Sequence, residues 1–149
     1  MKKRVYGKQL GRERDTRRAL FRSLVAALVE NGKIKTTKTK AKAIQPLVDK
    51  LVTLAKKGDQ ASYRRAYALL GNDKRSTKTL FEEIGPKFKK RNGGFTRAIK
   101  LGKRRGDNAM EVRLEWVESF EKEEKGKKEE KKETKKDTKK ATKKKGKKK

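Results

Sequence analysis

FTRAIKLGKRRGDNAMEVRLEW, residues 95–116, is where the chain changes its period. Met110, Val112, Leu114 and Trp116 alternate with Glu111, Arg113 and Glu115, the two-residue repeat of a strand with one apolar face. Phe95, Ile99 and Leu101 are expected to share one face of a preceding strand. The glycine-bearing segment 102–108 between the two runs reads as the turn of an antiparallel hairpin. An isolated hairpin is marginal in water, so helices must cover the face that holds Trp116.

Those helices are legible upstream. Leu20, Phe21, Leu24, Val25 and Leu28 recur at helical spacing in a segment that Asp15 or Thr16 can cap and Asn31-Gly32 end. Lys33–Thr37 alternates and is β-branched, so Ile34 can join a third strand. A second helix over about Lys38–Lys57 places Ile44, Leu47, Val48, Leu51, Leu54 and Ala55 on one face. Pro46 within it is expected to bend or split it, and Gly58 to end it. Asp59 can cap a third helix carrying Tyr63, Ala66, Tyr67 and Leu70, stopped by Gly71-Asn72. A fourth, beginning around Ser76, turns Leu80, Phe81 and Ile84 inward before Gly85-Pro86. The expected fold is α+β: about four helices packed on a short, mainly antiparallel sheet that contains a C-terminal hairpin.

Either side of this domain, expected at 15–120, the composition changes. Residues 1–14 form a basic arm with Lys2, Lys3, Arg4, Lys8, Arg12 and Arg14, and with Tyr6 free to stack on an unpaired base or to pack on the domain. Residues 121–149 hold sixteen lysines, seven acids and a single apolar residue, Ala141. Such a segment cannot offset the entropy of ordering, and is expected to be disordered alone and dispensable for folding.

The charge selects the partner. Of 149 residues, 48 are Lys or Arg and 19 are Asp or Glu, a formal net charge of +29. Like charges repel on compaction, and a polyanion relieves that repulsion while releasing its own counterions. With neither cysteine nor histidine in the chain, Cys/His zinc sites, disulfides and Ser/His or Cys/His catalysis are excluded. Glu82-Glu83 and Glu111/Glu115 read as solvated faces rather than as an acid–base pair. Neither an enzyme activity nor a cofactor or metal is expected. No apolar run reaches the length of a membrane span, and residues 1–14 lack a signal-peptide core.

Several clusters can meet phosphates. Arg14, Arg18 and Arg22 recur every four residues along one helix edge. Lys33, Lys35 and Lys38 follow on the linker and the start of the second helix. The segment before the hairpin carries Lys89, Lys90, Arg91, Asn92, Gly93 and Gly94, where glycine lets backbone lie close to an anion, and Arg97 follows. Lys103, Arg104 and Arg105 stand at the hairpin tip. Neither loop has the G-x-x-x-x-G-K-[ST] spacing of a nucleotide-binding loop.

Short stretches in order also resemble one family. They are Leu10-Gly11-Arg12, Arg18-Ala19-Leu20-Phe21-Arg22, Asn31-Gly32-Lys33-Ile34-Lys35-Thr36-Thr37, Ala41-Lys42 with Pro46, and Leu54-Ala55-Lys56-Lys57-Gly58-Asp59. Leu80-Phe81, Arg91-Asn92-Gly93-Gly94-Phe95-Thr96-Arg97, Lys100-Leu101-Gly102 and Arg104-Arg105-Gly106-Asp107 complete them. Over about residues 1–118 the chain resembles the bacterial large-subunit ribosomal protein L17 family. The resemblance implies an α+β protein of the cytoplasmic ribosome. It also implies that the protein is bound to 23S rRNA near the exit of the nascent-chain tunnel, among neighbouring ribosomal proteins, with its N-terminal arm threaded between RNA helices. The extension 119–149 departs from the compact family pattern, as does an arm without the family's usual histidine. Charge alone leaves one rival, a DNA-architectural protein of the nucleoid.

Overall fold

The computed structural model describes residues 8–118, so the arm residues Lys2, Lys3, Arg4 and Tyr6 and the tail 121–149 lie outside the described residues. The elements are α1 (Arg14–Asn31), β1 (Lys33–Thr37), α2 (Lys38–Lys57), α3 (Gln60–Leu69) and α4 (Lys74–Thr79). A π-helical turn (Leu80–Ile84), α5 (Gly85–Lys87), β2 (Thr96–Lys103) and β3 (Met110–Trp116) complete the order. The three strands form an antiparallel sheet in the order β1-β3-β2. The hairpin and the third strand through Ile34, which pairs with Leu114, are therefore as the alternation indicates.

One face of the sheet is covered. Val112, Leu114 and Trp116 on β3 join Ile44, Val48, Leu51 and Val52 of α2 and Val25 and Leu28 of α1 in a single buried cluster. Helix α2 packs against all three strands and against α1, α3, the π-turn and α5. Trp116 is buried, and its indole Nε1–H donates to the Leu28 carbonyl at 3.2 Å, which satisfies the one polar atom its ring brings into the core.

Helix ends follow local chemistry, with three departures from expectation. Helix α1 starts at Arg14 with Glu13 at the N-cap position; Asp15, expected to cap, sits in the first turn, where a carboxylate faces the positive end of the helix dipole. Helix α4 starts at Lys74, ahead of Ser76, because the Asp73 carboxylate accepts from the backbone N–H groups of Arg75 and Ser76 at 3.0 and 3.3 Å and from the Ser76 hydroxyl. The helical run continues past the expected stop at Gly85-Pro86. A π-turn absorbs one extra residue, and Gly85 lies so close to α2 that a Cβ there would stand 3.0 Å from the Ala55 carbonyl oxygen. Pro46 does not split α2: it is exposed, so water can reach the carbonyl it leaves without a donor.

The main correction concerns β2. Phe95 is fully buried but precedes the strand, and Ile99 lies opposite Arg113 on the face away from the helices. Leu101 occupies a bulge between Lys100 and Gly102 and is 48% exposed. The three do not share a face: Thr96, not Phe95, is in register with Trp116, which turns Ile99 outward, and Leu101 falls in the bulge beyond it. The core-side positions of β2 are Thr96, Ala98 and Lys100, opposite Trp116, Leu114 and Val112.

Leu51 is 1% exposed within the α2 stripe, so Leu51→Ala should cost about 2–5 kcal/mol by opening a cavity. Arg18→Ala, at an exposed position, should change stability by less than about 1 kcal/mol. Urea denaturation of both variants checks this; equal losses would show that the faces of α1 and α2 are assigned wrongly.

Candidate nucleic-acid interface

The fold gathers the basic residues into three surfaces. The first is the outer face of the sheet. Lys33, Lys35 and Thr37 of β1 lie opposite Glu115, Arg113 and Glu111, and Arg97 of β2 also lies opposite Glu115. The acids are not the solvated pair expected. Lys35 Nζ sits 2.7 Å from Glu111 Oε2 and Arg97 Nε 2.7 Å from Glu115 Oε1, with Arg113 beside the latter at 2.9 Å; the glutamate side chains are left 18% and 14% exposed. The hydrogen bond from Arg97, reinforced by the charge of Arg113, holds the Glu115 carboxyl below the ordinary carboxylate range. The result is a fixed ladder of cations on a central pair of acids.

The second surface is the loop 89–94. Its feet are Phe88 and Phe95, both fully buried, with ring centroids 5.2 Å apart in an edge-to-face contact. Between them Lys89, Lys90, Arg91, Asn92, Gly93 and Gly94 are all exposed. Gly94 has φ +62, the left-handed conformation that glycine adopts without strain. Arg91 Nε donates to the Gly93 carbonyl at 3.1 Å, and Lys56 of α2 donates to the Arg91 carbonyl at 2.6 Å.

The third is the hairpin tip, where Lys103, Arg104 and Arg105 are exposed. Arg104 is committed within the tip: its Nε and Nη2 donate to the two carboxylate oxygens of Asp107 at 3.1 and 2.6 Å, and Asp107 also accepts from the Ala109 N–H at 3.2 Å. The loop and the tip lie at opposite ends of β2, whose eight residues span about 26 Å.

The α1 ridge is less uniform than its spacing suggests. Arg14 and Arg18 are exposed and share Asp15 at 3.6 and 3.5 Å. Arg22 turns to the C-terminal end of α3, donating from Nε to the Leu69 carbonyl at 3.3 Å. Lys8, Arg12 and Lys38 are exposed, and the Arg12 guanidinium bonds the Leu10 carbonyl at 2.9 Å. Sequence reasoning missed Asp49 and Lys56, which touch the loop from α2, and Arg113 on the sheet face. Only the alternation of β3 could have pointed to Arg113. Among the described residues no group of His, Cys, Asp and Glu could hold a metal ion, and no helix is long and apolar enough to cross a membrane.

The family model described as ribosomal protein L17 matches residues 20–117. The chain belongs to that family. A protein of Persephonella marina named large ribosomal subunit protein bL17 is 50% identical over 124 residues, which are 83% of this chain and all of that relative. Proteins of the same name from Thermodesulfovibrio yellowstonii and Clostridium perfringens are each 46% identical, over 87% and 74% of this chain and 97% and 96% of their own lengths. The family match includes the sheet, the loop and the tip; Arg14 and Arg18 precede it.

The Asp107–Arg104 pair within that match has a measurable signature. Hydrogen bonds from Arg104, then from the Ala109 N–H, lower the Asp107 pKa from 3.8 to about 2. A depressed carboxylate pKa stabilises the tip above the ordinary value, and this contribution is lost as pH falls from there through about 2. Carboxyl NMR titration should show an Asp107 midpoint near 2 in the parent, returning upward in Arg104→Ala. An ordinary midpoint in the parent would mean that the clasp does not form in solution.

Proposed function

We propose that this chain is a structural, non-catalytic constituent of the bacterial large ribosomal subunit that binds 23S rRNA, near the exit of the nascent-chain tunnel and among other large-subunit proteins. Membership of the L17 family, with relatives named as large-subunit proteins over nearly their whole lengths, supports the assembly. The tunnel-exit position follows from the resemblance to the family alone.

One observation carries the RNA-binding reading. The side chains of Lys89, Lys90, Lys103 and Arg105 are exposed and have no ion-pair or hydrogen-bond partner among the described residues, whereas the acids Asp73, Asp107, Glu111 and Glu115 are engaged within the fold. Cations presented in this way suit phosphates. RNA duplexes hide their base edges in a deep, narrow groove, so contacts fall mainly on phosphates and sugars, and lysine acts there as a point charge. The binding residues are accordingly Lys33, Lys35, Lys38 and Arg97 of the sheet side, Lys89 to Gly94 of the loop, and Lys103 to Arg105 of the tip. Arg14, Arg18, Arg22 and the arm join them. The rival nucleoid role accounts for the charge but leaves the family match unexplained.

Sedimentation of cell extract at high salt, followed by crosslinking within the isolated particles, tests the reading. The protein should travel with large subunits and crosslink to 23S rRNA from the loop 89–94 and the hairpin tip. Migration with chromosomal DNA, or particles whose crosslinks from these loops reach only protein, would contradict it.

A further inference from the structure

Glycine is usually required by the chain's own geometry: a positive φ, or a neighbour too close for a side chain. Both reasons act here elsewhere, at Gly94 with φ +62 and at Gly85 against Ala55. Gly93 has neither. Its φ is not in the left-handed region, and a Cβ built on it would meet nothing within 4 Å. The fold alone would accept alanine at this position.

The loop around Gly93 is held from below. The Phe95 N–H at its C-terminal foot donates to Asp49 Oδ1 at 3.3 Å, and Lys56 reaches the Arg91 carbonyl at 2.6 Å. Asp49 and Lys56 are seven residues apart, two turns along α2, so both stand on one stripe of that helix. Lys56 Nζ also lies 5.7 Å from the centre of the Phe95 ring. With the Phe88–Phe95 ring contact closing the feet, two backbone groups of this short segment are held from α2 before any partner arrives.

An acid in this position is informative. Asp49 is half-buried next to a loop whose ionisable groups are all cations. If its charge were what mattered to an RNA partner, it would oppose binding. Its contact with the loop is instead a hydrogen bond to backbone, which a neutral acceptor could also make.

We infer that the loop 89–94 is a pre-shaped phosphate cradle, in which Asp49 and Lys56 are positioning residues and Gly93 marks the closest approach of the RNA backbone. The assignment rests on the RNA-binding reading above. A fixed loop loses little conformational freedom on binding, so more of its contact energy appears as affinity. A glycine with open space above it lets a phosphate reach the main-chain N–H groups that a methyl would screen.

Affinity for one 23S rRNA fragment, measured with the full chain at fixed salt, tests this with three variants, alongside each variant's melting temperature. Gly93→Ala should bind about tenfold more weakly or worse, the cost of one hydrogen bond to a charged group, with melting unchanged. Asp49→Ala should weaken binding roughly two- to tenfold, the range of an ordinary hydrogen bond, although it removes a negative charge. Asp49→Asn, which keeps the acceptor, should bind at least as tightly as the parent. Tighter binding by Asp49→Ala, or parent-like binding by Gly93→Ala, overturns the inference while leaving the RNA-binding reading intact. A parent protein that does not bind the fragment overturns both.

Discussion

Burial of one face of α2 is the constraint on which the remaining geometry depends. This single helix touches all three strands and four other helical segments, and its residues Ile44, Val48, Leu51 and Val52 are each no more than 1% exposed. Because α2 must lie flat on the sheet, the opposite sheet face is left to solvent and can carry the ladder of charges. Because the π-turn and α5 must pack against its last turns, Gly85 meets Ala55 directly. The loop that follows α5 is then delivered beside Asp49 and Lys56. Packing in the interior thus decides where the exterior cations stand.

The acids have a consistent part in this arrangement. A chain of net charge +29 gains little stability from exposed ion pairs, each contributing about 0–1 kcal/mol. What the pairs do here is orient. Glu111 and Glu115, on the central strand, line up Lys35, Arg97 and Arg113 across three strands. Asp107 ties Arg104 within the tip, leaving Arg105 and Lys103 to project, and Asp73 starts a helix by capping it. The self-repulsion that remains is of the kind a polyanionic partner would relieve.

Much of this was legible in the sequence because it rests on periodicity. The stripe on α2, the alternation of β3, the turn between the hairpin strands and the burial of Trp116 all follow from residue spacing. What sequence could not show depends on events between elements. The pairing of Thr96 with Trp116 turns Ile99 outward, the bulge displaces Leu101, and an edge strand that the helices do not fully cover gives a weak alternation signal. Gly85-Pro86 looks like a helix stop unless the close approach of α2 is known. The cation clusters at 89–94 and 103–105 were visible as composition, but the commitment of Arg104 to Asp107 and of Arg22 to Leu69 required coordinates. Asp49 and Lys56 carried no signal of their own, being ordinary polar positions on an amphipathic helix until a loop distant in sequence closes over them.

The central claim is that phosphates are held by charge neutralisation on surfaces the fold has already arranged. It is tested most directly by the salt dependence of binding between the full chain and a 23S rRNA fragment. If about six to ten phosphates are neutralised, the affinity should fall by roughly three to five decades between about 50 and 200 mM salt, linearly on logarithmic axes. An affinity nearly flat across that range would contradict the account.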